Sequence, residues 1–239
     1  MKKLVALVMA LLLTISLASC ENSENQSSSQ SAPITSSSES QVQTEESTDG
    51  QDTDAAADGG SNILIAYFAV AENSEVDAVA SASVVTIDGE AMGMTEALAQ
   101  MIAEDTGGDL FSIQTSVDYP GDINDLIDYA AEEQNNGERP ELTTHIENLD
   151  QYDTIFVGYP NWWYDMPMVM YSFFDEYDFS GKTIIPFNSH NGSRFSDTID
   201  TIQELEPNAT VITDGFTVRY SDVENAAGDI SQWLDGLGF

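Results

Sequence analysis

Cysteine occurs once in this chain, at Cys20, so no disulfide can form within it and a bridge-stapled framework is excluded. Basic residues are nearly as scarce: 6 lysines and arginines stand against 42 aspartates and glutamates, for a formal charge of −36. A surface of that sign repels nucleic acid and anionic lipid headgroups, which leaves small molecules or a basic protein as partners. No apolar run reaches the ~20 residues a membrane-crossing helix needs; the longest, from Leu4 to Leu17, falls short. From Glu21 to Ser61 there is no aromatic residue, and Ile34 and Val42 are the only large aliphatics. Such a stretch buries too little apolar surface to offset the entropy of ordering, so it is expected to be a solvated tether. No G-x-S-x-G elbow is present, so the adjacent Ser189 and His190 do not announce a hydrolase triad.

What the chain does have begins with a leader. Lys2 and Lys3 precede the short apolar run, as in an export signal. The run closes on Leu17-Ala18-Ser19-Cys20, which resembles the bacterial lipobox, whose cysteine carries lipid in the mature protein. The expected organisation is a signal peptide over residues 1–19, a lipidated Cys20 with a Ser- and acid-rich linker over 20–61, and one domain over 62–239. Loss of Lys2 and Lys3 with the leader would carry the formal charge from −36 to −38. As a flexible coil the linker would span roughly 35 Å, holding the domain at the outer face of the cell membrane. Contact with the membrane would then run through the lipid alone.

Within residues 62–239 the continuous apolar runs suit strands buried on both faces. They are Asn62 to Phe68, Leu110 to Ile113, Thr154 to Tyr159, Thr183 to Phe187 and Ala209 to Ile212. Helical spacing lies between them: Met94, Leu98, Met101 and Ile102; Ile123, Leu126, Ile127 and Ala130; Met168 to Phe174; Ile199, Ile202 and Leu205; and Val223 to Leu237. Strict alternation of the two predicts an open parallel sheet with helices on both faces. Ligands in such sheets bind beyond the carboxyl ends of the strands, here just after Phe68, Tyr159 and Phe187.

Three loops fall at that edge. Pro160-Asn161-Trp162-Trp163-Tyr164 places three aromatics in a row where a strand has ended, so at least one ring is expected to be exposed, either for a flat conjugated ligand or as a partner patch. Asn188-Ser189-His190-Asn191-Gly192-Ser193 is dense in hydrogen-bonding groups. Gly93-Met94-Thr95 offers a glycine, a hydroxyl and a helix start to a phosphate, although Thr95 also reads as a plain helix N-cap. Between Asn73 and Ala91 the sequence is polar, with a short Ser83-Val84-Val85-Thr86-Ile87 run that suits a surface hairpin or a flap.

Together I-L-I-A-Y-F, G-M-T-E-A-L-A, T-G-G-D-L-F-S-I, Y-D-T-I-F-V-G-Y-P-N-W-W-Y-D-M-P and F-S-G-K-T-I-I-P-F-N-S-H-N-G-S-R resemble the bacterial flavodoxin-like family along essentially all of residues 62–239. The resemblance implies an α/β three-layer sandwich with a five-stranded parallel sheet of order 2-1-3-4-5, and flavin mononucleotide (FMN) as the cofactor. It implies flavin phosphate near Phe68, Ala69, Val70 and Ala71 and at Gly93, Met94 and Thr95. The ring would lie against Pro160, Asn161, Trp162 and Trp163, with Asn188, Ser189, His190, Asn191, Gly192 and Ser193 on the other side. Relatives carry a turn of the type S-x-x-G-N-T after the first strand. Here Ala69-Val70-Ala71-Glu72 has neither hydroxyl nor glycine, and Gly93-Met94-Thr95 follows about twenty residues later. A carboxylate at Glu72 would repel phosphate if it faced the site.

Three functions fit these residues: an FMN-binding electron carrier with an unknown redox partner, a flavin-dependent NAD(P)H:quinone-type reductase, and a surface binding module that kept the fold without flavin. For a flavin carrier, the acidic domain is expected to disfavour the anionic reduced flavin and so to lower its reduction potential.

Overall fold

The computed structural model describes residues 62–73 and 83–239. The leader, Cys20 and the linker lie outside the described residues. The central sheet runs β4 (Asp109–Ser112), β1 (Ile63–Tyr67), β5 (Thr154–Pro160), β6 (Thr183–His190), and then β7 (Thr210–Val211) and β8 (Phe216–Arg219), which share the place beside β6. Every pairing in it is parallel. This is the expected 2-1-3-4-5 order, with the fifth strand broken in two.

The break has a cause in the neighbouring strand. The Ile184 carbonyl accepts from the Ile212 N–H, so two residues on, Pro186 faces the same edge and has no N–H to participate in pairing. The chain leaves the sheet through residues 212–215 and rejoins it with Phe216 opposite Phe187.

Both faces of the sheet are covered, which is why its strands are apolar throughout. Leu64, Ala66 and Phe68 point to one core with Ile155, Val157 and Tyr159, under α2 (Ile123–Asn136), α3 (Met168–Glu176) and α4 (Thr198–Leu205). Ile65, Tyr67 and Ala69 point to the other, with Phe156 and Phe187 under α1 (Met94–Thr106) and α5 (Ala227–Leu237). Among the described residues no helix is long and apolar enough to cross a membrane.

Between the first strand and α1 stands an antiparallel hairpin, β2 (Val84–Ile87) with β3 (Glu90–Gly93). Its turn is Asp88-Gly89, with φ of 53° and 88°, the left-handed pair that a two-residue hairpin requires. Val85, Ile87 and Met92 pack on the α1–α5 core, so this part of the segment is a docked hairpin and not a loose flap.

Candidate functional site

At the carboxyl edge of β1, β5 and β6 a cavity of about 620 Å³ opens, within the range of small-ligand sites. One end is built by the turn after β1 and the start of α1. Helix α1 begins at Met94, with Gly93 as its N-cap, which corrects the reading of Thr95 as the cap. The helix can start this close to the turn because Gly93 has no side chain. A Cβ there would stand 2.7 Å from the Ala69 Cβ. Two donors of the helix end are taken, since Gly93 N–H donates to Glu96 Oε2 at 3.0 Å and Met94 N–H to the Ser83 carbonyl at 3.0 Å. Thr95 lies on the cavity wall and is 2% exposed, and its hydroxyl has no hydrogen-bond partner among the described residues.

Glu72 does not face this end. Its carboxylate accepts from the Ser112 hydroxyl at 2.8 Å and the Tyr67 hydroxyl at 3.3 Å. Burial, with Glu96 nearby, raises its pKa. Asn73 fixes the turn by donating to the Ala69 carbonyl and accepting from Thr115 N–H.

The other end is aromatic. Trp162 packs edge-on against Phe68 and Tyr119, with ring centroids 5.9 and 5.6 Å away. Trp163 and Tyr164 form a two-residue turn with φ of 49° and 67°, closed by paired backbone bonds of 2.9 Å between Trp162 and Asp165. The expected exposed rings are these two, 50% and 73% exposed. The Trp163 indole N–H reaches across to the Ile127 carbonyl on α2 at 2.9 Å. Asp165 holds the turn from below, accepting from Tyr171 and Gln134.

The loop after β6 closes the third side. Asn161 accepts from the Ser193 hydroxyl at 2.9 Å and donates to the Phe195 carbonyl at 3.3 Å, which ties two loops together. Gly192 N–H donates to His190 Nδ1 at 2.7 Å, which leaves the ring proton on Nε2. Burial, then the charges of Arg219 and Arg194, hold His190 below its ordinary pKa, so the ring is neutral at neutral pH.

Of the residues expected from sequence, Ala69, Val70, Met94, Thr95, Pro160, Asn161, Trp162, Trp163, Ser189, His190, Asn191, Gly192 and Ser193 line the cavity together. Phe68, Ala71, Gly93 and Asn188 do not. Phe68 is core, Gly93 packs on Ala69, and Asn188 is fully buried, donating to the Arg194 carbonyl and accepting from Thr217. Sequence reasoning missed Ser83, Ile123, Leu126, Ile127, Ala130, Tyr164 and Tyr220 on the wall. The α2 residues carried a signal, their helical spacing, which marks an apolar helix face without saying whether a core or a ligand meets it. Among the described residues the wall contains no aspartate or glutamate, in a chain with 42 of them.

No curated protein matches the chain. Among solved structures, a candidate flavoprotein from Bacteroides eggerthii DSM 20697 is 25% identical with a TM-score of 0.56, covering 74% of this chain and 98% of its own. One from Bacteroides uniformis ATCC 8492 is 26% identical with a TM-score of 0.56, covering 74% and 99%. A flavoprotein in complex with FMN from Lactobacillus acidophilus NCFM is 21% identical with a TM-score of 0.48, covering 68% and 95%. A sequence model of the flavodoxin family matches residues 83–237, well over half of the chain, and the chain belongs to that family.

Proposed function

We propose that the domain binds FMN noncovalently in this cavity and transfers electrons, and that Cys20 anchors it by lipid to the outer face of the cell membrane. The observation that carries the cofactor reading is the wall itself, whose described residues include no carboxylate in a strongly acidic chain. It has an unpartnered hydroxyl at a helix start on one side and aromatic rings on the other. Thr95 and the backbone N–H groups of the first turn of α1 beyond Met94 suit a phosphate. Pro160, Trp162 and Trp163 suit a flat ring, and Ser189, Asn191 and the His190 Nε2–H suit its polar edge. Likeness to two candidate flavoproteins supports the same ligand class. When bound, the flavin would supply the redox chemistry. The chain's own part is to orient the ring, exclude water from it with Ile123, Leu126 and Ile127, and set the local field.

The test is to prepare the chain from Glu21 onward, free of flavin, and follow quenching of flavin fluorescence on adding FMN or riboflavin. FMN binding more tightly than riboflavin is expected. Equal affinities would remove the phosphate site, and no binding of either would refute the cofactor. Metabolic labelling of the full chain with a radioactive fatty acid, lost in Cys20→Ser, tests the anchor.

A further inference from the structure

Outside the leader the chain has four basic side chains, and two of them are occupied. Arg139 pairs with Asp175 at 2.8 Å and lies over the Tyr171 ring. Lys182 donates to the Leu149 and Tyr152 carbonyls. The other two, Arg194 and Arg219, have guanidinium groups with neither an ion pair nor a hydrogen bond among the described residues. Neither lines the cavity, but Arg219 lies against its wall and Arg194 is the next residue in the chain after a wall residue. The point where a Cβ on Gly192 would sit is 3.6 and 3.7 Å from two guanidinium nitrogens of Arg219, and Gly192 is on the wall. Arg194 follows Ser193, also on the wall, and the charges of both arginines reach His190. Two unneutralised guanidiniums beside a cavity wall with no carboxylate among its described residues give an acid-rich chain a local field opposite in sign to its net charge.

We propose that Arg194 and Arg219 form a receptor for the oxyanion of a second ligand, a small aromatic carboxylate or phosphate that enters beside the flavin. The proposal rests on the flavin reading and names a substrate class for it. A planar guanidinium fork matches a carboxylate or phosphate in two-point contact, which lysine does not. The flavin's own phosphate is not the anion served here. Its elements follow β1, and Arg219 ends β8, three places away in the sheet, or about 14 Å at the usual strand spacing.

The test uses three probes of one size: 4-nitrobenzoate, 4-nitrophenyl phosphate and the neutral 4-nitrobenzyl alcohol. Each is titrated calorimetrically into the chain from Glu21 onward, FMN-loaded and flavin-free, with inorganic phosphate as a competitor. At least one anionic probe is expected to bind about tenfold more tightly than the alcohol, with a margin that shrinks as salt is raised. Competition by inorganic phosphate alone at the same strength as the aryl probe would overturn the aromatic part of the proposal. R194A/R219A is expected to abolish the margin while FMN affinity is unchanged, and R194K/R219K to keep part of it. Equal binding of all three probes to the parent chain would overturn the proposal, as would loss of FMN but not riboflavin affinity in R194A/R219A, which would assign the arginines to the flavin phosphate. If FMN fails to bind at all, the cofactor reading falls, and the margin measured on the flavin-free chain still decides the arginine site.

Discussion

At Trp163 and Tyr164, stability and binding pull in opposite directions. A left-handed backbone costs a side-chain-bearing residue about 1–2 kcal/mol, and here two aromatics adopt it in succession. The turn persists because Trp162 and Asp165 exchange backbone bonds and Asp165 is fixed by Tyr171 and Gln134. Tyr164→Gly removes an exposed ring and the strain under it. It is expected to raise the unfolding free energy by about 0.5–1 kcal/mol, the gain being cut by glycine's extra chain entropy; urea titration should show a higher midpoint at unchanged slope. Trp163→Gly gains the same relief but gives up the bond to the Ile127 carbonyl and one ring of the wall. FMN and riboflavin should both bind about tenfold more weakly to it, since a stacked ring contributes ~0.5–1.5 kcal/mol. Thr95→Val separates the two ends of the cavity. It keeps the shape and deletes the hydroxyl, so FMN should lose about tenfold or more in affinity while riboflavin loses little. A fluorescence titration of both ligands against the Trp163 and Thr95 variants reads the two binding outcomes.

Among the elements, α2 has two duties. Capped by Asp122 and ended at Gly137, it turns Ile123, Leu126, Ile127 and Ala130 to the cavity and Glu133 into the protein. Glu133 is 2% exposed, accepts from the Tyr119 hydroxyl at 3.2 Å, and keeps its other oxygen without a hydrogen-bond partner. Burial pushes its pKa up to about 7, and the same cause brings Glu206 to about 7. For an acid whose folded pKa lies above its unfolded one, the folded state holds the proton more tightly. Stability is then greatest below the unfolded value near 4.3 and is lost as pH rises to about 7. Glu176, Asp122 and Asp178 are shifted the other way, so their contribution disappears only below that window. The melting temperature should therefore be several degrees higher at pH 5.5 than at pH 8, and Glu133→Gln should narrow the gap by raising the value at pH 8. Strand and helix positions were legible in the sequence, because burial on both faces writes an apolar run and one-sided burial writes a 3.6-residue period; the sheet order came from the family resemblance alone. The broken fifth strand was not legible, since its cause, Pro186, lies in a different strand. The cavity-facing side of α2 was hidden for a similar reason: Leu126 and Ala130 follow the same spacing whether they meet a core or a ligand.

For the whole molecule, the question is which charges a bound flavin feels. The chain carries −36, which on its own disfavours the anionic reduced flavin and lowers its potential. The two unpaired guanidiniums near the cavity wall act in the opposite direction from shorter range. Salt separates the two contributions because exposed charges beyond the Debye length of about 8 Å at physiological ionic strength are largely screened, and nearer ones much less so. The potential of bound FMN should accordingly rise with ionic strength, by an amount on the order of tens of millivolts, as the distant carboxylates are screened first. R194A/R219A should start from a lower potential and rise further over the same range. A redox titration of both proteins between low and high salt reads the two slopes. A parent potential that falls with salt would mean that the arginines dominate even at low ionic strength, and that net charge, the most conspicuous property of this sequence, has little bearing on its redox chemistry.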